Sequence, residues 1–219
     1  MKVALIAGST GLVGTELLNV LDESNQFSKI YALTRRKNSI RETEKIKALL
    51  ADPINSMDWP SDVDEVFCCL GTTMKKAGSK EAFRKVDFEL VVELAKKAKN
   101  NGVNSFHVIS SMGADKNSFF FYNKVKGEMQ EALEKLNFGR LFIYQPSLLL
   151  GDRKETRIGE KIGEFIMKAF SSLLLGSLKK YKAIEARTVA KAMEKIANSK
   201  ESRAVIFDSG KIRKLAADV

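Results

Sequence analysis

Two serines, a tyrosine and a lysine are the residues whose types and spacing could do chemistry together. Ser110 and Ser111 close the strand-like run SFHVISS; Tyr122 comes eleven residues after Ser111, and Lys126 four after that, in YNKVK. Val125, Met129, Ala132, Leu133 and Leu136 recur at helical spacing, which predicts a helix over 121–136 with Tyr122 and Lys126 on one face. A Y-x-x-x-K alone describes an ordinary surface pair. Downstream of strand-end hydroxyls and a glycine turn, the combination is far more restrictive. A free phenol has a pKa near ~10, and acid–base work at neutral pH needs it lowered by about 2 to 3 units, roughly 3 to 4 kcal/mol. The ammonium of Lys126 is an available source of that shift.

Other reactive residue types are poorly placed for chemistry. His107, the only histidine, lies in the middle of its strand and reads as a packed or surface imidazole. With no second histidine, a Ser-His hydrolase is not expected. Cys68 and Cys69 are adjacent inside an apolar run, so they frame no disulfide scaffold and carry no metal-ligand spacing. No metal site is expected.

The elements that must position this set begin at the N-terminus. Val3 to Ala7 is a short apolar run of the kind that forms a strand buried on both faces, and Gly8, Gly11 and Gly14 follow at three-residue spacing. Leu12, Leu17, Leu18 and Leu21 then recur at helical spacing, giving strand, tight turn and helix. Such a turn leaves the first helical N–H groups free for a pyrophosphate. Gly8 would permit the turn, Gly11 the approach of backbone to phosphate, and Gly14 the close packing of helix on strand. A purely structural turn is the bland alternative.

A second strand, Lys29 to Thr34, ends at Arg35, Arg36 and Lys37, where a dinucleotide fold commonly keeps an acid for the adenosine ribose. Paired arginines suit a 2′-phosphate instead, so NADP is favoured over NAD. A short strand is expected near Ala48 to Ala51 and a buried one over Glu65 to Leu70, whose following loop, Gly71 to Thr73, should line the cofactor. Lys75 and Lys76 suit phosphate or water equally. A helix over Glu81 to Asn100, strands over Ser105 to Ser111, Arg140 to Tyr144 and Ala204 to Phe207, and helices over Arg187 to Ala197 and Lys211 to Ala217 complete an α/β pattern. The apolar stretch Ile162 to Leu178 reads as helix and loop covering the substrate side or a partner subunit, with a membrane surface as its rival.

At 219 residues the chain suits one domain that buries roughly 70% of its unfolded surface. The formal charge of +10 invites a nucleic-acid reading, yet the lysines are dispersed among glutamates and no nucleic-acid motif is present. Nothing approaches a membrane span, and the start is too short for a signal peptide, so a cytoplasmic placement is expected.

Taken together, GSTGLVG, the arginine pair, LGTT, ISS and YNKVK resemble the short-chain dehydrogenases/reductases. The segments CCLGTTMKKAGSKEAFRKVD, SSMGADKNSFFFYNKVKGE and LLLGDRKETRIGE are similar to the atypical branch that contains the Tat-interacting protein oxidoreductases. The resemblance implies a doubly wound, mostly parallel Rossmann sheet over residues 1–219, with 148–219 forming a small extension on the substrate side. It implies NADPH held by Gly8, Thr10, Gly11, Leu12, Val13 and Gly14, by Arg35 and Arg36, by Leu70 and Gly71, by Tyr122 and Lys126, and by Leu149 and Arg157. Ser111 would hydrogen-bond a substrate carbonyl, Tyr122 donate a proton, and Lys126 hold the nicotinamide ribose. Phe119, Phe120 and Phe121 would form an apolar substrate wall or pack in the core.

Two positions depart from the family pattern. Asp87 stands where an asparagine supports a proton relay, and Gln145 stands before Pro146 where an arginine is common. Two functional readings therefore remain: carbonyl reduction on a small molecule, or a non-catalytic NADPH-binding regulator acting through a protein partner. A homodimer stays open.

Overall fold

The computed structural model describes residues 1–36, 39–151, 182–201 and 204–217. Its centre is a seven-stranded sheet in the order β3-β2-β1-β4-β5-β6-β9, with every neighbouring pair parallel. The strands are β1 (Lys2–Ala7), β2 (Phe27–Thr34), β3 (Ile46–Leu50), β4 (Glu65–Cys68), β5 (Ser105–Ile109), β6 (Arg140–Gln145) and β9 (Val205–Asp208). A separate two-residue pair, β7 (Leu149–Leu150) and β8 (Ile184–Glu185), lies outside that sheet. The chain leaves β1 for β2 and β3 on one side, then crosses to β4 on the other. That reversal opens a crevice at the carboxyl ends of β1 and β4, the place where open parallel sheets bind ligands.

Alternation along the strands divides the core between two layers. Ala4 and Ile6 face one cluster with Val13, Leu17 and Leu21 of α1 (Leu12–Glu23), Val189 and Met193 of α6 (Ala186–Ala197), and Ile212 of α7 (Ser209–Ala217). Leu5 and Ala7 face the other, with Val91, Leu94 and Ala98 of α4 (Leu90–Asn100) and Met129 and Leu133 of α5 (Phe121–Glu134). Covering both faces is what lets short runs such as EVFC be buried throughout. Cys68 belongs to one cluster and Cys69 packs on the other, so the two thiols lie on opposite faces of the sheet.

The helix expected over Glu81 to Asn100 has three parts: α3 (Lys80–Arg84), a π-helical turn (Lys85–Glu89) and α4. Ser79 caps α3 by accepting from the Ala82 N–H at 3.1 Å. A short helix, α2 (Met74–Ala77), precedes it, capped by Thr73.

His107 is packed, as its place in the strand suggested. It is completely buried among Phe67, Phe142 and Tyr144. Its Nε2 lies 3.0 Å from Glu65 and its Nδ1 lies 3.1 Å from the Tyr144 hydroxyl. Glu65 also receives Lys2 at 2.7 Å and Arg140 at 3.0 Å. Arg140 and Lys2 reach on to carbonyls at the C-terminal end of α6, where cations complement the helix dipole. Lys2, Glu65 and Arg140 each open their strand, so this charge cluster sits at the edge of the sheet opposite the crevice.

Candidate functional site

The crevice is built first by glycines. Gly8 has φ +79°, and a Cβ there would lie 2.6 Å from the Cys69 carbonyl. Gly14 carries helix α1 against the turn: a Cβ on it would meet the Gly8 oxygen at 2.1 Å. The Gly11 N–H donates to the Gly8 carbonyl at 2.9 Å, and the Thr15 hydroxyl to the Ser9 carbonyl at 3.2 Å, which fixes the turn. Gly11 is the N-cap of α1 and offers no side chain to the helix N–H groups, and no acidic residue lies in the first turn. The amides of Leu12, Val13 and Gly14 are thus available to an anion at the positive end of the helix dipole. Thr10 and Gly11 are exposed at this mouth, and Leu12 is half-buried.

Arg35 and Arg36 follow β2 directly and are both exposed, beside the glycine turn because Leu33 pairs with Ala7. The turn after β2 is ordered by Thr34, whose Oγ1 accepts from the Arg36 N–H at 3.2 Å. Leu70 and Gly71 leave β4 next to the same turn, as the strand order required. The chain after β6 also returns here. Gly151 packs against Leu12, where a Cβ would come within 2.6 Å of its side chain, and this brings half-buried Leu149 toward the start of α1. Arg157 and the stretch Ile162 to Leu178 lie outside the described residues.

The second half of the site is polar and buried. Lys126, only 4% exposed, pairs with Asp87 at 2.8 Å, and Asp87 is entirely buried in the π turn. The other carboxylate oxygen of Asp87 accepts the Thr72 N–H at 2.8 Å. Gly71 lies over this pair: a Cβ there would be 3.4 Å from Asp87 Oδ1 and 3.9 Å from Lys126 Nζ. Lys126 thereby sits where the carboxyl ends of β4 and β5 meet, with the Ile109 carbonyl 3.5 Å away.

Ser111 and Tyr122 flank that lysine in sequence and share its end of the sheet. The Ser111 hydroxyl oxygen is buried and has no hydrogen-bond partner among the described residues. Tyr122 is half-buried in the first turn of α5, its ring 5.3 Å from that of Phe83. Among the described residues no hydrogen bond joins Tyr122, Ser111 and Lys126; such contacts commonly tighten only around substrate. Phe119 and Phe120 are exposed, so core packing is ruled out for both, whereas Phe121 is half-buried against Phe83.

One member of the site was not anticipated. Gln130, buried on α5, donates to the Ser110 hydroxyl at 2.5 Å and accepts from Gln145 at 3.2 Å. This amide chain braces the end of β5, which carries Ser111. The signal was available: Gln130 falls four residues beyond Lys126, so Tyr122, Lys126 and Gln130 form one stripe down α5.

The residues present fit a dinucleotide. Side-chain-free glycines leave room for a diphosphate beside open helix amides, exposed arginines follow the neighbouring strand, and a buried lysine stands where β4 and β5 end. Comparison with known proteins agrees. Residues 2–103 match the model of the semialdehyde dehydrogenase NAD binding domain. The chain is 36% identical over 198 residues to protein HTATIP2 of Rattus norvegicus, covering 88% of this chain and 79% of that one. It is 38% identical over 161 residues to the mitochondrial protein FMP52-1 of Scheffersomyces stipitis, covering 70% of each. The oxidoreductase ylbE of Lactococcus lactis superposes with a TM-score of 0.67 at 18% identity, over 97% of this chain and 95% of that one.

These relatives correct the cytoplasmic expectation, because the fungal ones are named mitochondrial. Neither the lack of a membrane span nor the short apolar run at the start separates the two compartments. The parallel sheet, the glycine turn and these relatives together establish that the chain belongs to the atypical short-chain dehydrogenases/reductases, in the HTATIP2-like group, with a nucleotide-binding Rossmann fold.

Proposed function

We propose that this chain is an NADPH-dependent oxidoreductase that reduces a carbonyl on a small molecule. The observation that carries this reading is the pairing of a vacant-sided glycine turn with a buried lysine under Gly71, at the two ends of one crevice. When bound, the dinucleotide supplies hydride. The first-turn amides of α1 hold its diphosphate, Arg35 and Arg36 hold the 2′-phosphate, and Lys126 holds the ribose next to the nicotinamide. Ser111, whose buried hydroxyl lacks a partner among the described residues, donates to the carbonyl oxygen as negative charge develops there. Tyr122 delivers the proton. Residues 148–219 contribute the substrate side, and the fungal relatives' names support a mitochondrial setting.

The test is a screen of aldehydes, ketones and sugar nucleotides for NADPH oxidation, repeated with Tyr122→Phe. Turnover is expected to vanish in the variant with NADPH affinity nearly unchanged. Turnover equal to wild type removes Tyr122 as the acid. A second reading, an NADPH-binding regulator that acts through a protein partner, is favoured by the exposure of Phe119 and Phe120 at the entrance to α5. It predicts cofactor binding with no Tyr122-dependent turnover on any carbonyl.

A further inference from the structure

Asp87 is a fully buried carboxylate that the proposed chemistry leaves unused. Burying a carboxylate is costly, and replacing a buried ion pair with apolar side chains is often neutral or stabilising, so its stability alone does not explain this one. Its surroundings point to a different role. It lies in the π turn that interrupts an otherwise α-helical run from Lys80 to Asn100, and π turns recur at functional sites. One oxygen holds the Thr72 N–H at 2.8 Å and so fixes the loop after β4; the other lies 2.8 Å from Lys126 Nζ and fixes the ammonium. Gly71 lies over both groups.

We propose that Asp87 is a positioning residue: its carboxylate ties the Gly71–Thr72 loop to Lys126 and so presets the nicotinamide-ribose half of the dinucleotide site before cofactor arrives. This rests on the dinucleotide reading above. An asparagine here could keep the hydrogen bond to Thr72 but would leave the ammonium buried without its counter-charge. Asp87 therefore acts through Lys126 and the loop, and touches neither cofactor nor substrate itself.

The test is a calorimetric cycle on wild type, D87N, K126M and D87N/K126M, titrated with NADPH and with 2′,5′-ADP; NADH and ADP run alongside. The NADPH dissociation constant is expected to rise on the order of tenfold in each single variant, the scale of one charge-assisted hydrogen bond. The double variant is expected to bind no more weakly than the weaker single one. The fragment 2′,5′-ADP, which lacks the nicotinamide ribose, should bind all four proteins within about twofold, as independent sites do.

If a single variant fails to fold, D87E takes the place of D87N. It keeps the charge but is longer by a methylene, and the same selective loss of NADPH is expected. Unchanged NADPH affinity in D87N, equal loss of both ligands, or losses that add in the double variant would overturn the proposal. Wild-type protein that binds neither dinucleotide overturns the dinucleotide reading itself, and the positioning role falls with it. Wild-type binding with an additive cycle sinks the positioning role alone.

Discussion

The glycine turn makes a prediction that separates packing from binding. Gly14→Ala places a methyl 2.1 Å from the Gly8 carbonyl oxygen, so α1 must retreat from the turn that it caps. Overpacking of this kind costs about 1 to 3 kcal/mol, and both the melting temperature and dinucleotide affinity should fall. Gly11→Ala meets the same oxygen at 3.1 Å, where a shift of a few tenths of an ångström suffices, so the fold should survive while affinity falls. Calorimetric melting and NADPH titration of the two variants check the contrast. The arginines make a second prediction. Both are exposed, so replacing Arg35 and Arg36 with alanine should leave stability within about 0.5 kcal/mol and erase most discrimination between NADPH and NADH. Equal discrimination before and after would remove them from the 2′-phosphate. Spacing alone singled out the glycines, the arginine pair, Ser111, Tyr122 and Lys126 as candidates, and the fold carries them all to the carboxyl end of the sheet. The partner of Lys126 was not legible, because a contact between α5 and a distant π turn leaves no local periodicity.

Among the elements, the segment between Ser111 and Tyr122 is the one whose seating decides the site. Asp115 receives the Asn117 N–H at 2.9 Å through its side chain, and the Asp115 N–H donates to the Asn123 carbonyl at 3.1 Å. The segment lies directly on α5 at Gly127, where a Cβ would stand 2.1 Å from the Lys116 nitrogen. Gly127→Ala should therefore lift this segment and misplace Ser111 and Tyr122 together. The expected result is a stability loss of about 1 to 3 kcal/mol with weakened turnover, read by urea denaturation and by the NADPH oxidation assay. A variant with wild-type stability would show that the segment repacks freely. The regular elements were readable from their apolar runs and agree with the structure to within a few residues. The π turn was not, because Phe83, Val91, Leu94 and Ala98 keep a helical stripe on either side of it. Strands β7 and β8 were also missed, being two residues each and too short to show alternation.

At the scale of the whole molecule, the two ends of the sheet do different work. The carboxyl end stays open around glycines, while the opposite end is closed by Lys2, Glu65 and Arg140, which His107 in mid-strand links to the Tyr144 hydroxyl. Burial, the largest influence on Glu65, would raise its carboxyl, yet hydrogen bonds from His107, Lys2 and Ser105 hold it below its ordinary value. Burial pushes His107 below its ordinary value, and burial pushes the Tyr144 phenol well above its own. A neutral imidazole satisfies every contact, with Nε2–H donating to Glu65 and Nδ1 accepting from the Tyr144 hydroxyl.

The sign of the linkage follows. Unfolded His107 takes a proton as pH falls through about 6.5 while burial delays that uptake in folded His107, so stability present at neutral pH is lost on acidification. Glu65 acts the same way at lower pH, losing its contribution as pH falls from the unfolded value of 4.5 toward its lowered folded value. The chain has one histidine, so between pH 7 and pH 5.5 the slope belongs to His107, with the exchange of one proton, about 1.4 kcal/mol per pH unit, as its upper limit. Urea denaturation of wild type and His107→Gln across that range measures it. Wild type should weaken as the pH falls and the variant should stay flat there. Stability that rises with acid would mean that the folded imidazole is charged and that the cluster is held by a His107–Glu65 ion pair instead.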